Sequence, residues 1–216
     1  MLTREQFLPH EMRIVAALRM QGASDEQVIV RVKSENLFQY PTERMVANRA
    51  TVCLRRLDAM VPTDAVCAAR GIDPKTAVEA ASSLTNLMAS GTPTQADQAI
   101  FYSMICRYDI VRELVLVEVG ERLQNFDYAF TAVDLNAFMT RFTTEYPDAA
   151  RWTEATVKRI KGSLRQTLRH AGLIGEGQSP ESERLSPLFL DSDVERALVQ
   201  LGEQSLIAAL TGRVVM

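Results

Sequence analysis

Apolar positions recur at helical spacing along nearly the whole chain, so the elements it predicts are helices. The first covers Pro9 to Met20, with Ile14, Val15 and Leu18 on one face and Gly22 as a left-handed close. Ser24 opens the next in a Ser-Asp-Glu-Gln run, where a Ser cap with a Gln three residues on forms a capping box. That helix carries Val28, Ile29 and Val32 to about Ser34. Residues 35–40 form a connector, because Pro41 disfavours helix at Tyr40. Thr42 caps a third helix that runs to about Ala59.

The pattern then becomes richer in alanine. Asp73-Pro74 starts a helix in the favoured order of cap, then proline, and Val78, Ala81, Leu84 and Leu87 follow before Gly91. Thr94 is read as the cap of a helix through Ile100, Met104 and Ile105. Another helix spans Asp109 to about Leu123. Asp134 is read as the cap of a helix bearing Leu135, Phe138, Met139 and Phe142, which ends before Pro147. Thr153 caps a long helix that stops at Gly172. Leu173 to Leu190 reads as a hairpin-like wing around a polar turn, followed by helices from about Ser192 to Leu201 and from Glu203 to Leu210. The expected fold is all-α, mainly helical with helix-turn-helix character, and with a candidate short β wing near 173–190. The expected organisation is a helix-turn-helix-like module over 1–60, a helical scaffold over 61–130 and a winged-helix-like module over 131–216, together one compact unit.

Two helices carry a basic face. On 153–171, Val157, Ile160, Leu164, Leu168 and Ala171 line one side, while Lys158, Lys161, Arg165 and Arg169 line a second about a quarter-turn away, with Arg159 at its margin. On the third helix, Arg44, Asn48, Thr51 and Arg55 share a face opposite Val46, Ala50, Cys53 and Leu57, with Arg49 and Arg56 between. Charge composition sharpens this. The chain has net charge −3, yet residues 151–170 hold six basic groups and one acid, so the cations are concentrated rather than general. Most charged faces simply meet water. A solubility face, however, usually mixes signs for i,i+4 pairing, and this one is nearly single-signed after a short turn, where a recognition helix belongs. Nucleic-acid contact is therefore expected of Lys158, Arg159, Lys161, Arg165 and Arg169. Arg44, Asn48, Arg49 and Arg55 form a weaker second set, offset by Glu43 and Asp58.

Little else carries chemistry. Three dispersed cysteines (Cys53, Cys67 and Cys106) and two histidines make neither a zinc motif nor a disulfide framework, so a reduced, cytoplasmic setting is expected. The opening MLTREQFLPHEMR lacks a signal peptide's apolar core, and no apolar run reaches the ~18 residues of a membrane span. Nucleotide-binding and hydrolase motifs are absent, so neither catalysis, metal nor cofactor is expected. Phe38 and Tyr40 either stack on bases or plug the helix connector, and Trp152 suits a hydrophobic staple.

Two blocks, EMRIVAALRMQGASDEQV with ENLFQYPTER, and RWTEATVKRIKGSLRQTLRHAGLI with LSPLFL, resemble the BrxA family of BREX bacteriophage-resistance systems. The resemblance spans nearly the whole chain and is weakest over 61–100. It implies a cytoplasmic, all-helical, non-enzymatic protein with a NusB-like fold that binds nucleic acid and works with other BREX proteins. In such systems host DNA is methylated at a short sequence and phage replication is blocked. The expected partner is double-stranded DNA, with RNA and a protein–protein adaptor role as alternatives. No membrane partner is expected.

Overall fold

In the computed structural model the chain is all-α, and the structure describes residues 6–175, 179 and 182–213. The helices are α1 Pro9–Met20, α2 Asp25–Ser34, α3 Glu43–Ala59, α4 Asp64–Arg70, α5 Pro74–Ser90, α6 Pro93–Arg107, α7 Asp109–Glu113, α8 Gly120–Gln124, α9 Ala132–Glu145, α10 Glu154–His170, α11 Ser192–Gln200 and α12 Gln204–Thr211. A π-helical segment, Leu114–Val119, joins α7 to α8, and a 3-10 turn, Ala149–Arg151, precedes α10.

Cap chemistry sets most boundaries. Ser24 and Gln27 make the expected capping box, and Thr42, Asp73 and Thr153 each accept from the amide three residues on. Two caps differ from expectation. Thr92, not Thr94, opens α6, accepting from the Gln95 amide at 3.3 Å. Pro93 explains this, because proline suits the first helical position and bars its predecessor from the helix. Thr131, not Asp134, is the N-cap of α9. Asp134 is the third helical residue and accepts from the Thr131 amide at 2.7 Å, completing a capping box. The expected single helix from Asp109 is interrupted by the π turn, which keeps Leu114, Val115 and Val119 buried.

Packing divides the chain into two units. The first comprises Leu8–Arg107 and Leu190–Glu203. In it α1 lies against α5, α3, α6 and α2, while α11 packs on α5 and α6. Its core includes Met12, Val15, Val28, Val46, Leu84, Met88 and Ile100. Burying each such side chain contributes ~1.5–3 kcal/mol. The α2–α3 connector is sealed from inside. Phe38 is buried against Tyr40, edge to face at 6.3 Å between ring centroids, and the Tyr40 hydroxyl donates to buried Glu11. Both rings are thus plugs in this unit.

The second unit comprises Met1–Phe7, Tyr108–Phe189 and Gln204–Met216. α12 packs on the π segment and α8, and α9 packs on α10 and the 3-10 turn. Gly120 permits the first contact, since a Cβ there would stand 2.8 Å from the Cβ of Ala209. The expected wing takes the form of isolated bridges, Ile174 to Leu185 and Ala129 to Arg184, with no sheet among the described residues. Residues 176–178 and 180–181 of the expected wing turn lie outside the described residues.

Candidate nucleic-acid interface

α10 is held from both ends. Ahead of it, Trp152 stacks on Phe142 at 6.0 Å, and Phe142 stacks on Tyr146 at 4.2 Å. The Tyr146 hydroxyl donates to Glu113 at 3.1 Å. Thr153 then caps the helix. Behind it, Gly172 at φ +81° turns the chain back, a conformation that glycine adopts without steric cost. Ile160, Leu164, Leu168 and Ala171 are buried and Val157 is half-buried, as their spacing predicts.

The basic stripe divides into two groups. Lys158 and Arg159 are exposed. Lys161 is half-buried, and its Nζ donates to Asn136 Oδ1 at 2.6 Å. Arg165 Nε donates to Glu183 Oε2 at 2.7 Å, and Arg169 Nη2 donates to Glu183 Oε1 at 2.5 Å. The Glu183 side chain is 0% exposed, so this carboxylate is held wholly by the fold. The cause is geometric. Lys158 falls between Arg165 and Arg169 in angle around the helix, so position along its axis divides them: Lys161, Arg165 and Arg169 meet the Asn136 and Glu183 side chains that reach the later turns of α10.

Glu183 arrives on a return leg flanked on both sides. The Phe130 amide donates to Glu183 O at 3.1 Å, and the Leu185 amide donates to Tyr128 O at 2.8 Å. On the other side the Ser186 amide donates to Leu173 O at 2.9 Å. Sequence reasoning passed over Glu183. Its signal was the period-two alternation Glu183-Arg184-Leu185, whose burial runs buried, exposed, buried and places an acid at an inward position.

On α3, in the first unit, Arg44, Asn48 and Arg55 are exposed along one ridge, and Arg49 is half-buried. The two acids that seemed to offset them are engaged elsewhere. Glu43 pairs with Lys33 at 3.1 Å, and Asp58 pairs with Arg19 at 3.0 Å. Burial, and then the neighbouring Asp25, hold the Asp58 carboxyl above its ordinary value in spite of Arg19. Arg56, one residue further, is fully buried. Next to it Cys53 is buried and its thiol is pushed up to about 12, mainly by desolvation, which suppresses the thiolate. His10 is exposed while its neighbour Glu11 turns inward to Tyr40.

Among the described residues, no group of three His, Cys, Asp or Glu side chains is placed to hold a metal ion. Nor is any helix of the described residues long and apolar enough to cross a membrane.

The family model of BrxA matches residues 1–202. The chain belongs to the BrxA family. One relative, BREX protein BrxA of Escherichia coli O9:H4 (strain HS), is 21% identical over 127 residues, which is 59% of this chain and 58% of that protein. The match thus spans a little over half the length of that relative. A crystal structure of an uncharacterized protein from Magnetospirillum magneticum shares the fold, with a TM-score of 0.73 over 98% of this chain and 97% of that one. Its sequence identity is 16%, so the likeness is one of architecture alone. In this BrxA-family chain the exposed cations of α10 are Lys158 and Arg159, and those of α3 are Arg44 and Arg55.

Proposed function

We propose that this protein is a non-catalytic accessory protein of a BREX phage-defence system that binds double-stranded DNA in the cytoplasm. Membership of the BrxA family supports the system. The observation that carries DNA binding is the division of cations on α10. Glu183 engages Arg165 and Arg169, while Lys158 and Arg159 stay on an exposed ridge. The order helix, bridge at Ala129, α9, α10, bridge at Ile174, bridge at Leu185 is how a winged helix is built. Such a domain lays the second helix of its helix-turn-helix pair, here α10, in the major groove. Arg165 and Arg169 then act by holding the helix in place. Arg44, Asn48 and Arg55 on α3 supply a second DNA-facing ridge, with Arg49 at its edge.

Fluorescence anisotropy with duplex DNA at rising salt tests this. Affinity should fall steeply as bound counterions are displaced, with a log–log slope of about 0.9 per phosphate contact. Lys158→Glu with Arg159→Glu should weaken binding at least tenfold while the helical circular dichroism is unchanged. Unchanged binding by that variant rejects the assignment of α10. Structured RNA that outcompetes duplex DNA would make the protein an RNA binder instead. Nuclease-resistant capture of other BREX proteins, with no nucleic-acid binding by the purified chain, would make it an adaptor.

A further inference from the structure

The outward side of α10 holds more than charge. Ala155, Arg159, Gly162 and Gln166 follow steps of four, three and four residues and are all exposed. Gly162 is the central residue of a 17-residue helix. Glycine is the poorest helix former after proline, so an interior glycine weakens a helix unless something requires it. Nothing among the described residues requires this one. A Cβ built there meets no atom of the described residues within 4 Å, and its backbone is not in the left-handed region. What remains is close approach of the helix backbone to something outside the chain.

Gln166 is held in a specific way. Its Nε2 lies 3.1 Å from His170 Nε2, and the His170 ring stacks on buried Phe7 at 5.0 Å with an interplanar angle of 19°. Since an amide nitrogen only donates, His170 Nε2 accepts one of its two hydrogens. The amide oxygen and the other N–H are left over. That is the acceptor–donor pair that matches N6 and N7 of adenine in the major groove.

We infer that Arg159, Gly162 and Gln166 form a base-reading edge, in which Gly162 lets α10 approach the groove and His170 holds the Gln166 amide to read adenine. The inference rests on the reading of α10 as a DNA-binding helix. Arg159 reads guanine through O6 and N7. Seven residues separate the two readers, about 10.5 Å at ~1.5 Å per residue. That is roughly three base steps of ~3.4 Å. The protein therefore prefers a short motif with a G·C pair and an A·T pair about three steps apart. His170 is a positioning residue.

The test uses the full chain and 20-base-pair duplexes with a randomised centre, selected by the wild-type protein and sequenced. The selected duplex should bind at least tenfold more tightly than an unselected one. Gly162→Ala should melt at a higher temperature than wild type and lose most of the tenfold preference. Gln166→Ala and His170→Ala should each abolish the preference at the A·T position alone, and Arg159→Ala should abolish it at the G·C position. Gly162→Ala that binds the selected duplex as wild type does overturns the inference, as does a selection that enriches no motif. A change of oligomeric state in Gly162→Ala also overturns it, since the close approach would then be to a second copy. A wild-type protein that binds no duplex at all rejects the DNA-binding reading itself, a failure visible before any variant is made.

Discussion

Arg165 Nε lies 2.7 Å from Glu183 Oε2, and the carboxylate that it meets is entirely out of water. One acid on the return leg therefore fastens the segment to α10 through two arginines a turn apart. Glu183→Gln removes the charge of the carboxylate that both guanidiniums share and should destabilise the protein by about 2–3 kcal/mol. The figure sits below the range for a fully buried pair because the arginines are 19% and 28% exposed. Urea unfolding followed by the helical signal measures it. Replacing Glu183, Arg165 and Arg169 together by leucine should cost less than Glu183→Gln alone. A larger loss in the triple variant would show that the ion pairs stabilise the fold outright.

Two glycines should respond to alanine in opposite directions. Gly162→Ala should stabilise by about 0.5–1 kcal/mol, because a methyl fits in open space and restricts the unfolded chain. Gly120→Ala should destabilise by about 1–3 kcal/mol, because its Cβ would stand 2.8 Å from Ala209 Cβ and 3.1 Å from Ala209 Cα. Thermal melts of the two variants beside wild type decide both signs.

Helix caps give the stability a dependence on acid. Hydrogen bonds from the Thr76 amide and hydroxyl hold the Asp73 carboxyl below its ordinary value. At Asp191 the Gln95 side chain, and then the Asp193 amide, do the same. For a carboxyl depressed in the folded state, the stabilisation is complete above the unfolded value of about 3.9 and is lost as pH falls through the lower folded value. Urea midpoints should therefore decline as pH is lowered below about 4. Asp73→Ser keeps a capping oxygen without a titrating group, so its midpoint should decline less over the same range. An equal decline would remove Asp73 from the account.

Cys53 should be inert to thiol reagents in the native protein. It is fully buried, and desolvation raises its pKa to about 12. Maleimide labelling at pH 8, read by mass spectrometry, should modify half-buried Cys106 before Cys53. Cys53 should react only as the first unit opens. Labelling of Cys53 at the rate of Cys106 would contradict the burial.

Helix boundaries were legible wherever cap chemistry is local, as at Ser24-Gln27, Thr42, Asp73 and Thr153. They slipped where two hydroxyls or acids compete within three residues, as at Thr92 with Thr94 and Thr131 with Asp134. α4 was missed because its seven residues bury one side chain, Cys67, which is too few to form a stripe. The π turn was missed because Leu114-Val115-Leu116-Val117 is apolar on every side and carries no period.

The sequence by itself determined the all-helical class, the apolar face of α10 and the presence of basic ridges, because each depends on spacing within one helix. It also carried the resemblance to the BrxA family. Only the tertiary structure decided which cations of a ridge stay free. Glu183 lies 18 residues beyond Arg165, and nothing in a helical period tells of a carboxylate brought back by a return leg. The same limit hid the partition into two units, in which α11 packs on α5 and α6, which lie about a hundred residues earlier in the chain. Side-chain period records which face of a helix turns inward, but the neighbour that face meets is set by chain-distant packing.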